Sequence, residues 1–434
     1  MNNTHITHPQ ILCSGVKMLN IFYSHLFSTD AINLPSDEAT PIIKLWVLRI
    51  FIKLRAHHGF IRKDDFENEA TASFLGLDKW LNQPDDFSDK GVKHDLLKAY
   101  KTSEISASDT KAPKQLRKNI NKLSKELGLS KTDCRILEFI VLLKIEVILN
   151  QSTNLLRTLS TSDISKVIAV ILSLPVSMVQ FLLRAKGALQ ESGLLSIEMG
   201  KYSLTGKLEL ISDDFSDSIY SSKATEPMEL LQKVLFKSLK PELNINDFKH
   251  MNKELDILSP YLSYALKNNR KAVNFYIHGQ PGTGKTQLVR VLAKELGYEL
   301  FEISSRDEDD KPIDGFSRLK AYQVAQSVLK NKKAITLFDE VEDIFSDGLF
   351  KSGVAQKHKA WMNRMLEKNI VPCFWLSNSY QGLDAAFIRR YDMIFELPVP
   401  PKSQREKIIK QKCSGFLPSQ VINRISEAEN LSPA

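Results

Sequence analysis

A parallel sheet flanked by helices is predicted for residues 227–434, behind a mainly α-helical region that fills the first half of the chain. Two observations carry this prediction. The second half holds short apolar runs, VNFYIH at 273–278, AITLF at 334–338, CFWL at 373–376 and MIFEL at 393–397. Each has the length of a strand, and the stretches between them are long enough for helices, the rhythm of strands joined by helical crossovers. The first half instead repeats apolar residues at helical spacing, as in Leu116, Ile120, Leu123 and Leu127. At 434 residues the chain exceeds what one core holds, so it is expected to divide, at 1–100, 113–211 and 227–434.

The elements follow in chain order. Residues 1–100 read as helical, with 41–56 the most apolar stretch. That stretch carries Lys44, Arg49, Lys53 and Arg55; residues 136–149 carry Glu138, Lys144 and Glu146; residues 167–183 are interrupted by Ser173, Pro175 and Gln180. None offers the ~18 uninterrupted apolar residues of a membrane span, so all three are expected as buried helices. The N-terminus lacks a charged segment followed by an apolar core, so no signal peptide is expected. Cys13, Cys134, Cys373 and Cys413 lie far apart, which argues against a zinc ribbon or a disulfide framework and fits a reducing compartment. With 43% hydrophobic and 25% charged residues, the composition is that of an ordinary soluble protein, and a cytoplasmic location without membrane contact is expected. The net charge of +8 is compatible with nucleic acid or an acidic partner, but on a chain of this length it points only weakly.

Residues 101–114, rich in Ser, Thr, Ala and Lys, read as a linker. The helix after it turns Arg117, Lys118, Lys122 and Lys125 away from its apolar face, a pattern that fits a solvated surface or, less commonly, a nucleic-acid contact. A helix over 163–173 capped by Ser162, a turn at Leu174 and Pro175, a helix over 176–186 and a hairpin from 194–197 and 202–205 give the order of a winged-helix-like unit. Its second helix is apolar (Met178, Val179, Phe181, Leu182, Leu183), with Arg184 and Lys186 only at the end. Packing or protein contact is therefore favoured over DNA readout, which stays open. The acidic, serine-rich residues 212–226 read as a second linker. One nucleotide motif is present and no internal repeat.

That motif is Gly279, Gln280, Pro281, Gly282, Thr283, Gly284, Lys285, Thr286, an unbroken GxxxxGK[ST] between a strand and a helix. Its glycines let the backbone curl so that several N–H groups face one phosphate, and the helix dipole favours the anion. Lys285 adds charge at the β- and γ-phosphates, and the Thr286 hydroxyl is a ligand for Mg²⁺. Leu288, in the first turn of the helix, completes the nucleotide-binding set. About fifty residues on, the 334–338 run ends in Asp339 and Glu340, placing one acid to hold Mg²⁺ and the next to polarise the attacking water. The 373–377 run closes on Asn378, which can bond the γ-phosphate or the water. All three strands would deliver their carboxyl ends to one crevice, where open α/β sheets bind ligands. Arg389 and Arg390, in DAAFIRRYD, can be a helix-end cap or the guanidinium that phosphoryl transfer uses.

Together these residues define an α/β P-loop NTPase core and resemble the AAA family of ATPases. The resemblance covers roughly residues 240–412: GQPGTGKT as Walker A, ITLFDE as Walker B, FWLSN as sensor 1 and DAAFIRRYD as the arginine-finger region. LFDEVEDIF and RRYDMIFELPVPPKSQREKII are similar to a bacterial subgroup. The resemblance implies a ring, usually of six copies, with Lys285, Thr286, Asp339, Glu340 and Asn378 acting within a subunit and Arg389 and Arg390 reaching its neighbour. Two departures stand out. Residues 309–316 (DDKPIDGF) lack the aromatic-hydrophobic-glycine tripeptide of many translocases, leaving Phe316 as the available aromatic. After the last core strand only residues 398–434 follow, with helices expected over 402–412 and 417–426, so the helical lid is expected to be incomplete and no sensor 2 residue is assigned.

The expected function is hydrolysis of ATP with Mg²⁺ at subunit interfaces to remodel a protein or protein–nucleic acid assembly, with an unidentified protein substrate. Alternatives are a nucleotide-dependent assembly module with slow hydrolysis and a DNA-associated ATPase.

Overall fold

The computed structural model of the chain describes residues 34–82, 87–307, 309–345, 359–381, 383–413 and 416–428. Cys13, the N-terminal segment and residues 431–434, on which expectations about leader and lid rested, lie outside the described residues. Contacts divide the chain into two units, one of residues 1–114, 142–174 and 202–205, the other of residues 115–141, 175–201 and 206–434.

Among its described residues the first unit is mainly helical, as expected, with one short strand pair, Ile61–Arg62 with Asp65–Phe66. Its centre is the helix Thr40–Ile52, buried along nearly its whole circumference and packed on Asp89–Ile105, Val147–Asn154 and Thr161–Leu172. Arg49, inside this apolar helix, is 5% exposed. Its fork meets both Glu104 oxygens at 2.8 Å and donates a third bond to Ile171 O at 2.7 Å. A buried guanidinium is tolerated when its donors are satisfied in this way. Residues 101–105, expected as linker, continue the helix Asp89–Ile105. The helix at 161 begins earlier than expected. The Asp163 carboxylate reaches back to the Ser160 N–H (3.1 Å), so Ser160 is the cap and Thr161–Leu172 the helix.

In the second unit the helix Lys114–Leu127 buries Leu116, Ile120, Leu123 and Leu127, as its spacing predicts. Three expectations are corrected. Residues 212–226 are not a bare linker: Ser212 caps the helix Asp213–Ser221, which buries Phe215 and Ile219. The hairpin pairs Leu195–Ile197 with Leu208–Leu210, while 204–207 form a helical turn. Tyr202 is exposed, whereas alternation at Leu208 and Leu210 supplies the buried side of the second strand. The second helix of this region is shorter than expected, Val176–Leu182.

The core is a six-stranded sheet of β1 (Leu235–Lys237), β2 (Asn274–His278), β3 (Glu299–Ile303), β4 (Ala334–Phe338), β5 (Cys373–Ser377) and β6 (Met393–Glu396), in the order β6-β2-β5-β4-β3-β1. Five strands are parallel, and β1 lies antiparallel to β3 at the edge. The apolar runs are continuous because both faces are covered. On one face Phe275, Ile277, Ile335, Leu337, Phe374 and Leu376 join the helices Asn252–Lys267 and Lys285–Leu296. On the other, Trp375 is flanked by Phe338 and Tyr322, each with centroids 5.0 Å away. The helix Gly315–Leu329, between β3 and β4, also fastens residues 190 and 191: Gln323 Nε2 donates to Gln190 O and Glu191 O at 3.0 and 2.8 Å. After β6 come the helices Lys402–Lys412 and Ser419–Glu427, tied by Arg405 to Ser426 O at 2.7 Å. No single described helix is long and apolar enough to cross a membrane.

Candidate nucleotide site

The sheet order sets β5 between β2 and β4, with His278 opposite Ser377 and Phe338 opposite Trp375. The residues that follow these strand ends therefore emerge side by side. Gly279 turns the chain out of β2 at φ +151°, and an added Cβ would lie 2.3 Å from Leu397 O. Only glycine lets the loop pass that close to the end of β6. The loop closes on itself through Thr283 Oγ1 to Gln280 O (3.0 Å) and ends at Gly284, where the helix Lys285–Leu296 begins. Among the described residues no side chain caps that helix, so its first N–H groups face the loop's hollow, an arrangement suited to phosphate.

Two bridges tie this loop to its neighbours. Lys285 Nζ donates to Asn378 Oδ1 at 3.1 Å, and to Gly279 O and Gln280 O at 2.7 and 3.1 Å. Thr286 Oγ1 donates to Asp339 Oδ2 at 2.8 Å. Burial lowers the Lys285 pKa, opposed by the carboxylates of Asp339 and Glu342. Burial also raises the Asp339 carboxyl, with the Thr286 hydroxyl bond pulling the other way. A half-buried acid with a raised pKa and a buried ammonium with a lowered one lie at the same strand ends, a pattern that concentrates at functional sites. Leu288 is fully buried in the core beneath, its N–H bonded to Gly284 O.

Glu340 follows Asp339 with its carboxylate exposed and its backbone at φ +52°. Asn378 is anchored from behind: the Glu342 carboxylate accepts from the Asn378 N–H and, at 3.1 Å, from Ser377 Oγ. Glu342 escaped the sequence reading, although an acid two positions past Glu340 at the start of the helix Glu342–Phe345 was its signal. Arg318, which contacts the carbonyls of Asp339 and Glu340, also escaped it. An arginine among Phe316, Leu319 and Ala321 on a buried helix was the available sign.

The structure separates the arginine pair. Arg390 bonds Glu367 through Nε (2.9 Å) and Nη2 (2.6 Å), and also Ala386 O. Arg389, the residue after the turn Ala385–Ile388, is exposed and has no ion-pair partner among the described residues. Neither is bonded to Lys285, Thr286, Asp339, Glu340 or Asn378 among the described residues. Phe316 sits in the first turn of Gly315–Leu329, beside Trp361 at 5.9 Å and under Lys320, not on the preceding loop.

The family model for the ATPase family associated with various cellular activities (AAA) matches residues 275–399. Three curated relatives are each 27% identical. ATPase family AAA domain-containing protein 3 of Caenorhabditis elegans aligns over 150 residues, 33% of this chain and 25% of its own length. The ATP-dependent zinc metalloprotease FtsH of Aster yellows witches'-broom phytoplasma (strain AYWB) aligns over 186 residues, 40% and 27%. CD-NTase-associated protein 6 of Pseudomonas aeruginosa aligns over 158 residues, 32% and 52%. The alignments thus span about a quarter to a half of these relatives.

Proposed function

We propose that residues 275–399, which the model of the AAA family of ATPases matches, bind ATP with Mg²⁺ at the carboxyl ends of β2, β4 and β5 and hydrolyse it to rearrange a protein assembly. The observation that carries this reading is the pair of bridges from the phosphate loop, Lys285 to Asn378 and Thr286 to Asp339. They bring a cation, an amide and two hard oxygen donors to one place above a helix N-terminus.

The loop N–H groups and Lys285 hold the phosphates. Thr286 Oγ1 and Asp339 Oδ2, 2.8 Å apart, fit Mg²⁺, which takes one or two protein oxygens and completes its shell with phosphate and water. When bound, the ion would offset negative charge on the phosphates. Glu340 accepts a proton from the attacking water, and Asn378 orients it against the γ-phosphate.

The site is shared between copies of the chain in this proposal. Arg390 is committed to Glu367 in its own subunit, which leaves the exposed Arg389 as the guanidinium for a neighbour's γ-phosphate. The substrate is a protein. Support comes from the second helix of the winged-helix-like region, where Val176, Met178 and Phe181 are exposed and Arg184 stacks on the Phe181 ring at 3.7 Å. An apolar helix face of this kind suits protein better than a DNA groove.

Glu340→Gln tests the catalytic reading. Turnover should fall by ~10²-fold or more, the scale of a lost general base, with ATP affinity nearly unchanged. Turnover at the wild-type rate would overturn the assignment.

A further inference from the structure

We infer that Arg318 is a positioning residue for ATP hydrolysis: it fixes the backbone of Asp339 and Glu340 so that the Glu340 carboxylate faces the water. The inference rests on the hydrolytic reading above and adds to it a residue outside every motif.

Arg318 lies in the first turns of Gly315–Leu329 and is 2% exposed. All three of its donor arms reach backbone carbonyls at strand ends. Nε donates to Ser304 O at 3.2 Å, Nη1 to Glu340 O at 2.9 Å and Nη2 to Asp339 O. The guanidinium carbon sits 4.5 Å from the centroid of the Phe338 ring, which serves as a shelf. The planar fork therefore spans the ends of β3 and β4 in one rigid unit, which a lysine's single point charge cannot do.

The location gives the contact its consequence. The ladder of β4 ends at Leu337 on the β3 side and at Phe338 on the β5 side. Asp339 and Glu340 lie beyond it, so sheet pairing does not orient them. Glu340 also adopts φ +52°, a conformation that a non-glycine residue keeps only when its surroundings impose it. Those surroundings are Arg318 on its carbonyl and Asp339 Oδ1, which accepts its N–H at 2.8 Å. The exposed side chain departs from a Cα–Cβ direction that this backbone fixes. The bonds that define the role of Arg318 go to the backbone of Ser304, Asp339 and Glu340. Its loss should disturb the chemical step and spare nucleotide binding.

The test compares the full chain as wild type, Arg318→Lys, Glu340→Gln and the double variant. Thermal melting checks folding, titration with a fluorescent ATP analogue and Mg²⁺ gives affinity, and single-turnover hydrolysis gives the rate. Arg318→Lys should bind the analogue within about threefold of wild type and hydrolyse ATP ~10²-fold more slowly, the scale of a 1 Å misplacement. Because Arg318 acts through Glu340, the double variant should be no slower than Glu340→Gln alone. A merely structural residue would give additive losses and weaker binding.

If Arg318→Lys does not fold, Phe338→Leu removes the shelf and keeps the fork; it should slow turnover by ~10-fold at unchanged affinity. Wild-type turnover in the folded variant, a proportional loss of affinity, or additive losses in the double variant would overturn the role of Arg318 alone. A wild-type chain that hydrolyses no ATP would overturn the hydrolytic reading, and this inference with it.

Discussion

Replacing Gly279 with alanine tests whether the phosphate loop has its shape because two backbones pass in near contact. The added Cβ would stand 2.3 Å from Leu397 O and 3.2 Å from Leu397 C, where ordinary contact begins at 3.4 Å. The carbonyl belongs to backbone leaving β6, and the Leu397 N–H bonds His278 O at 2.7 Å, so neither side can give way freely. The φ of +151° adds a conformational cost of ~1–3 kcal/mol, and overpacking a close-packed site a similar ~1–3 kcal/mol. Together they predict a loss of about 4 kcal/mol. The strain is relieved most readily by lifting the loop away from Leu397, which would also weaken ATP affinity by ~10²-fold, on the scale of a 1 Å misplacement. Gly297 is the control: its φ is +72°, but nothing lies within 4 Å of its virtual Cβ. Gly297→Ala should cost ~1 kcal/mol and leave ATP binding intact. Urea unfolding and nucleotide titration of both variants provide the comparison. Equal stability losses, or a Gly279→Ala chain that binds ATP like wild type, would refute the steric argument.

Three further predictions concern charge. The Arg49 guanidinium pulls the Glu104 carboxyl down to about 2, so the stability it contributes is complete above the ordinary value of 4.5 and is lost as pH falls from there to about 2. Allowing for its partial exposure, that is about 2 kcal/mol, visible as a shift in urea midpoint between pH 6 and pH 3 that Glu104→Gln should abolish. Burial pushes Glu138 up to about 7, so a penalty accumulates as pH rises from 4.5 to about 7. Glu138→Gln should therefore stabilise the chain by about 2 kcal/mol at pH 8 and hardly at all at pH 4, again by urea unfolding. Arg389→Ala should leave the melting temperature unchanged and slow turnover by ~10³-fold or more, whereas Arg390→Ala should cost up to ~1 kcal/mol of stability through its lost pair with Glu367.

What could be read from the sequence follows from where each residue's partners lie. Strands β2, β4 and β5 are legible because burial on both faces leaves continuous apolar runs, β6 because its run is apolar although it lies at the sheet edge, and the phosphate loop because its glycines and lysine are contiguous. The edge strand Leu235–Lys237 was not legible: it has three residues, two of them exposed, and its pairing with β3 is set more than sixty residues away. The helix Asp213–Ser221 reads as a linker in the sequence because acids and serines outnumber Phe215 and Ile219, the two residues that dock it most deeply. The capping of Thr161–Leu172 slipped by two positions because two serines competed and the Asp163 carboxylate decided between them. In the site, Lys285 bonds Asn378 and Thr286 bonds Asp339. Glu342 and Arg318 are harder to read because the Asn378 N–H and the carbonyls of Asp339 and Glu340 that they hold are main-chain atoms, which carry no residue identity. The pairing of Arg390 with Glu367, more than twenty residues earlier, has no mark in the sequence.

The central claim is a hydrolytic site completed by a neighbouring copy, and mixing two inactive chains tests it most directly. Glu340→Gln keeps Arg389, and Arg389→Ala keeps Glu340. In a shared site, the arginine of the first completes the pocket of the second. Steady-state ATP turnover should be near background for each variant alone and should recover when they are mixed. A mixture that stays inactive while wild type turns over at the same protein concentration would contradict the account.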